Sequence, residues 1–119
     1  MEASQALVRL KEAARRGDYA GAVRNAALLV PGKQRELDRF RMEMEQYERA
    51  VRTAQWRAAL RALAAARMAA VAAGLPELED ISTDQMYRVI RLREQLDREG
   101  QSCEPAARGL PGQPSRGRN

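Results

Sequence analysis

The chain has 119 residues, carries a net charge of +5 with a pI of about 10.1, and is only 4% aromatic. This length supports one domain with a modest core, which must be built from alanine and other aliphatic side chains. Because the sequence contains no histidine and a single cysteine, Cys103, it excludes an intrachain disulfide and the commonest general base of enzymes.

The first pair of helices is predicted at residues 4–30. Alanine and leucine dominate the apolar residues, and this composition favours helix because Ala loses no side-chain entropy there. Helical spacing indicates a first helix that ends at Gly17, and Asp18 is a suitable N-cap for a second helix over residues 19–29. The link between them is so short that the two helices must form an antiparallel hairpin.

A second hairpin is predicted at residues 33–74. Its first helix has apolar residues at alternating spacings of 3 and 4, which form a seam like that of a coiled coil. The residues of this seam are Leu37, Phe40, Met44, Tyr47 and Val51. The seam fits either ordinary core packing or a surface for self-association. Residues 53–55 contain no strong helix breaker, so one long helix and two separate helices both fit the sequence.

The C-terminal part is predicted to contain one more helix. Residues 75–82 have the composition of an acidic linker, and Ser82 is a suitable N-cap for a helix over residues 83–99. Residues 101–119 are rich in Gly, Pro, Ser, Gln and Arg, which predicts a disordered tail. The expected fold is therefore all-α, with about five helices arranged as antiparallel hairpins within residues 1–100.

The two hairpins are similar to each other in sequence. A shift of 37 residues aligns residues 10–30 with 47–67, so that Tyr19 falls on Trp56. Residues 17–23 are Gly-Asp-Tyr-Ala-Gly-Ala-Val, a segment that resembles the turn of a tetratricopeptide repeat, although the shift exceeds the usual repeat of about 34 residues. The resemblance implies stacked hairpins with a concave face that binds a peptide or a protein.

No set of residues in the sequence points to catalysis, to a cofactor or to a metal. Cys103 lies in the predicted tail without a neighbouring base, so a nucleophilic role is not expected. The carboxylates of Glu77, Glu79 and Asp80 lack the glycine and the ligand spacing of a calcium-binding loop. We therefore expect a non-enzymatic protein that acts by binding a macromolecule.

The arginines are the best candidates for that binding. Residues 1–74 carry 14 basic and 8 acidic groups, whereas residues 75–100 carry 4 and 7, so positive charge is concentrated in the two hairpins. Guanidinium groups make bidentate contacts with carboxylates and phosphates. The residues of the predicted partner-binding basic face are Arg15, Arg24, Arg49, Arg52, Arg57 and Arg61.

These features predict a protein–protein interaction module, such as an adaptor, a chaperone-like binder or a small inhibitor, with an acidic or helical partner. One alternative is a nucleic-acid-binding protein that contacts phosphates through the same arginines. Another is a structural homo-oligomer joined through the seam of the third helix. No secretion-signal pattern and no apolar run of membrane-spanning length is present, so we expect no membrane partner and a cytoplasmic location. The Ala- and Arg-rich composition suggests a bacterial or phage source.

Overall fold

The computed structural model describes residues 3–108, and all regular secondary structure in that range is helical. The helices are α1 (Ala3–Arg15), α2 (Tyr19–Leu29), α3 (Gln34–Arg52), α4 (Trp56–Ala73) and α5 (Pro76–Arg108). The predicted all-α fold with five helices is confirmed. The chain divides into two compact units, Met1–Val89 and Ile90–Asn119, of which the first contains α1 to α4 and the beginning of α5.

The first hairpin, α1 with α2, is closed by the predicted turn. Gly17 adopts the left-handed conformation with φ 81°, and its amide donates to the carbonyl of Ala14 at 3.0 Å. The amide of Asp18 donates to the carbonyl of Ala13 at 2.8 Å, which completes a Schellman motif. The carboxylate of Asp18 then accepts a hydrogen bond from the amide of Gly21 at 2.9 Å and caps α2.

The second hairpin consists of two separate helices, α3 and α4, which decides between the two arrangements that the sequence left open. The break is at Ala54, a non-glycine residue with φ 55°. Its amide donates to the carbonyl of Val51 at 3.0 Å, and that of Gln55 donates to the carbonyl of Ala50 at 2.8 Å. This is again a Schellman motif. Backbone hydrogen bonding therefore ends α3 without glycine or proline. Residues 53–55 show no helix-breaking pattern for this reason.

Helix α5 is longer than the predicted helix of residues 83–99. It begins at Pro76 because proline is favoured in the first turn of a helix, where its missing N–H costs no hydrogen bond. The helix passes through Gly100, which does not adopt the positive φ typical of a helix-ending glycine, and ends at Arg108. The predicted tail, residues 101–119, is thus helical as far as Arg108, and its remainder lies outside the described residues.

The supposed linker, residues 75–82, forms the start of α5 and contributes to the core. Leu75 and Leu78 are buried in the main apolar cluster. Ser82 is also fully buried, and its hydroxyl donates to the carbonyl of Glu79 at 2.8 Å instead of capping a helix. The acidic composition of this segment concealed an amphipathic helix, whose leucines lie on the buried face.

The core is built on the seam of α3. Leu37, Phe40 and Met44 have no exposed surface, and Tyr47 and Val51 pack partly buried against the same cluster. Full burial of an apolar side chain of this size stabilises the fold by roughly 1.5–3 kcal/mol. Most of the seam is thus covered within a single chain, which favours ordinary core packing over a surface for self-association.

Helix α4 faces this seam with small residues. Ala59, Ala66 and Ala70 are fully buried, and Leu63 is the one large residue among them. Alanines allow two helix backbones to approach closely, so α3 and α4 pack tightly along their length.

Candidate partner-binding groove

A groove of about 600 Å³ runs between α3 and α4 at the end of the hairpin that holds the turn. On each helix its lining residues are three or four positions apart, as expected for one helical face. They are Arg39, Glu43, Gln46, Arg49, Ala50 and Thr53 on the α3 side, and Gln55, Ala58, Arg61, Ala62 and Ala65 on the α4 side.

The charge of this groove is positive. Arg39 and Glu43 form an ion pair at 2.9 Å and neutralise each other. Arg49 and Arg61 have no carboxylate within ion-pair distance in the described part of the chain. The surrounding segment adds to this excess of positive charge, because residues 49–76 contain five arginines and no aspartate or glutamate.

The floor of the groove is made of alanine. Ala50 and Ala62 are nearly buried at 7% and 8% exposure, and Ala58 and Ala65 are partly exposed beside them. None of the lining residues is aromatic. The groove therefore combines a smooth apolar floor, on which a second backbone could lie closely, with two guanidinium groups at its edges.

The structure brings together only part of the predicted basic face. Arg49 and Arg61 line the same groove from opposite helices. Arg52 and Arg57 are exposed at the end of α3 and the beginning of α4, on either side of the turn, but they do not line the groove. Arg24 is exposed on α2 and lines none of the described grooves. Four of the six predicted arginines thus surround the turn between α3 and α4.

Arg15, the sixth, lies in a different cleft, between α1 and the beginning of α5. This cleft measures about 400 Å³. Its charged lining residues are Lys11, Arg15, Arg88, Glu77, Asp80 and Asp84. Three basic and three acidic groups cancel, so the cleft has no net charge with which to select a charged partner.

A polar cluster beneath the surface joins α2, α3 and α5. Tyr19 lies near the Glu48 carboxylate, and the Tyr47 hydroxyl donates to Oε1 of Gln85 at 2.6 Å. Burial, followed by the nearby Glu48 carboxylate, raises the pKa of Tyr19 well above its usual value. Burial and Glu48 also raise the pKa of Tyr47, while the positive charge of Arg88 opposes that increase.

This cluster is structural in character. Both phenols hold their protons at neutral pH, and the Tyr47 proton is donated to a partly buried acceptor on another helix. The periodicity of α3 alone places Glu48 on the polar face, so the sequence did not reveal its contact with Tyr19. The two tyrosines in an otherwise aromatic-poor chain were the signal that could have indicated it.

Among the described residues, no group of three or more His, Cys, Asp or Glu side chains is placed to hold a metal ion. Over the same part of the chain, no helix has both the length and the apolar character needed to cross a membrane. Comparison with protein-family models, with curated proteins and with solved structures gave no match.

Proposed function

We propose that this protein is a non-enzymatic protein–protein interaction module, an adaptor or small inhibitor, that binds an acidic segment of its partner in the groove between α3 and α4. The observation that carries the proposal is the placement of Arg49 and Arg61 over an alanine floor without carboxylate partners among residues 3–108. A guanidinium group that lacks an internal partner is available for a charge-assisted hydrogen bond to another molecule.

The alanine floor favours a protein over a nucleic acid as the partner. Ala50, Ala58 and Ala62 give an apolar surface that suits the packing of side chains or a helix backbone. Recognition of single-stranded nucleic acid relies on aromatic side chains that stack with bases, and this groove has none. Phosphate binding by the same arginines is the second candidate function, supported by the acid-free segment 49–76.

The proposal is tested with labelled probes of opposite chemistry. A fluorescein-labelled helical peptide rich in glutamate, its lysine counterpart, and DNA and RNA oligonucleotides are each titrated with the full chain at several salt concentrations. We expect the glutamate peptide to bind and the lysine peptide not to bind. Replacing both groove arginines, R49A/R61A, should weaken binding of the glutamate peptide at least about tenfold.

The matched control is R24A/R93A, which removes the same amount of charge from exposed positions outside the groove. This variant should bind as the wild type does. Equal losses in the two variants would mean that net charge rather than the groove attracts the peptide, and would overturn the proposal. Tight, salt-sensitive binding of an oligonucleotide with no binding of either peptide would replace it with the second candidate function.

A further inference from the structure

The basic groove continues into a second depression whose α4 side is apolar. This depression of about 420 Å³ lies further along the same pair of helices and shares Arg39 and Ala65 with the first. Its remaining lining residues are Arg35, Glu36, Met68, Ala69 and Ala72. The two depressions thus form one continuous channel along the hairpin, from the turn at Gln55 to the far end of α4.

The channel has the length and the floor of a helix-binding site. The α4 residues that line it recur every three or four positions from Ala58 to Ala72, so they form one straight stripe. From Gln55 to Ala72 the channel spans about 26 Å at 1.5 Å per helical residue. A helix of about 17 residues has this length, and it would rest between α3 and α4 as a third helix rests on a pair in a bundle.

The two ends of the channel differ in chemistry. The end near the turn has the guanidinium groups of Arg49 and Arg61, which pair with no carboxylate in the part of the chain that the structure describes. The opposite end has Met68, which is 61% exposed, together with Ala69 and Ala72. The charged residues at that end, Arg35 and Glu36, are of opposite sign. An exposed methionine provides an adaptable apolar contact surface.

We propose that the occupant of this channel is an amphipathic α-helix of a partner protein, with small and apolar residues along one face and its acidic residues gathered at one end. This inference rests on the proposed function and specifies the partner. The acidic end lies at the turn beside Arg49 and Arg61, and the apolar end packs against Met68 and Ala72. Charge complementarity at one end and apolar contact at the other fix the direction in which the helix lies.

Two peptides of identical composition test the inference. Both are helical with alanine and leucine on one face, but one carries all its glutamates in a single terminal half, and the other has them spread evenly. We expect the segregated peptide to bind about tenfold more tightly, because only it satisfies both ends of the channel. Amide shifts in ¹⁵N spectra of the full chain should then extend from Ala50 and Ala58 to Ala72.

A substitution at the apolar end gives the second readout. M68E should weaken binding of the segregated peptide about tenfold, whereas the control M42E should not, because Met42 is similarly exposed on α3 but lies outside the channel. Equal binding of the two peptides together with no effect of M68E would overturn the helix inference. If R49A/R61A still lost binding in that case, the proposed function would remain supported.

Two further outcomes would also overturn the inference. If neither peptide binds the wild type, the helix inference and the proposed function both fail. The remaining candidate occupant is a second copy of the chain, and sedimentation velocity of the wild type without peptide tests for it. Self-association that M68E abolishes and M42E does not would show that the channel binds a second copy of the chain instead of a partner helix.

Discussion

Gly17 and Ala54 occupy the same backbone position in the two hairpins, 37 residues apart, and each has a left-handed conformation, with φ 81° and 55°. In both turns, the left-handed residue and the one after it donate their amides to carbonyls of the preceding helix in the same pattern. The 37-residue similarity found in the sequence therefore has a structural counterpart at the turns. Only the first turn has glycine, the residue that the left-handed conformation favours.

Substitution of Ala54 by glycine should stabilise the protein. Left-handed backbone costs an L-residue about 1–2 kcal/mol, and glycine avoids most of this cost while losing some entropy on folding. We expect the free energy of unfolding to rise by roughly 0.5–1 kcal/mol in A54G. Urea denaturation followed by circular dichroism measures the change.

The reciprocal variant G17A is the control for that prediction. It introduces the same strain, and its Cβ would meet Oε2 of Glu48 at 3.1 Å, so it should be destabilised. If A54G were less stable than the wild type, the left-handed turn between α3 and α4 would be incorrect.

Loss of the cap on α2 should also destabilise the first hairpin. Asp18 accepts the Gly21 amide at 2.9 Å, and D18A removes this acceptor at an expected cost of about 1 kcal/mol in the free energy of unfolding. D18N keeps an acceptor oxygen and should recover most of the loss. Equal destabilisation of the two variants, measured by urea denaturation, would show that charge rather than capping is responsible.

The raised pKa of Tyr19 predicts a loss of stability in alkaline solution. The folded protein holds this phenolic proton more tightly than the unfolded chain does, so the contribution is complete below the unfolded pKa of 10.0 and is lost as the pH rises further. We expect the free energy of unfolding to fall progressively as the pH rises above about 10. Y19F should show a smaller fall, since it cannot ionise.

Y87F serves as the reference variant for the alkaline series, because Tyr87 is 58% exposed and lies outside the polar cluster. Its stability should follow that of the wild type at each pH. If the free energy of unfolding fell as much in Y19F as in the wild type, groups other than Tyr19 would be responsible for the alkaline loss of stability.

The burial of the α3 seam predicts a severe effect of F40A. Phe40 is fully buried, and its truncation should cost about 3–5 kcal/mol, which is a large part of the stability of a domain of this size. M42A changes an exposed side chain on the same helix and should stay within about 0.5 kcal/mol of the wild type. A folded F40A variant with an altered oligomeric state would mean that the seam is an interface after all.

Periodicity and capping residues predicted the first hairpin and the core face of the second, but they left the break between α3 and α4 undecided. The apolar spacing from Leu37 to Val51 identified the core face of α3, and Gly17 with Asp18 identified the first turn. The start of α5 was missed because Pro76 and its acidic neighbours suggested a linker, whereas proline and glutamate are both favourable in a first helical turn. The acidic composition wrongly indicated a linker, whereas Leu75 and Leu78, both buried, indicated a segment that packs on the core.

The candidate site was only partly predictable. Sequence alone selected Arg49 and Arg61 with four other arginines, but it could not show that Arg39 is neutralised by Glu43 or that Arg15 lies in a separate cleft. These distinctions depend on which helices pack side by side, and short-range patterns do not determine that. The apolar end at Met68 was missed because an isolated methionine among alanines has no distinctive pattern in the sequence.

A charge exchange in the groove tests whether Arg49 and Arg61 bind the partner. The glutamate and lysine helical peptides are titrated against the wild type, against R49E/R61E and against the control R24E/R93E. If Arg49 and Arg61 bind the acidic segment, the wild type and the control will prefer the glutamate peptide and R49E/R61E will prefer the lysine peptide. A preference that is the same in all three proteins, or one that R24E/R93E reverses equally, would contradict a partner-binding role for the groove between α3 and α4.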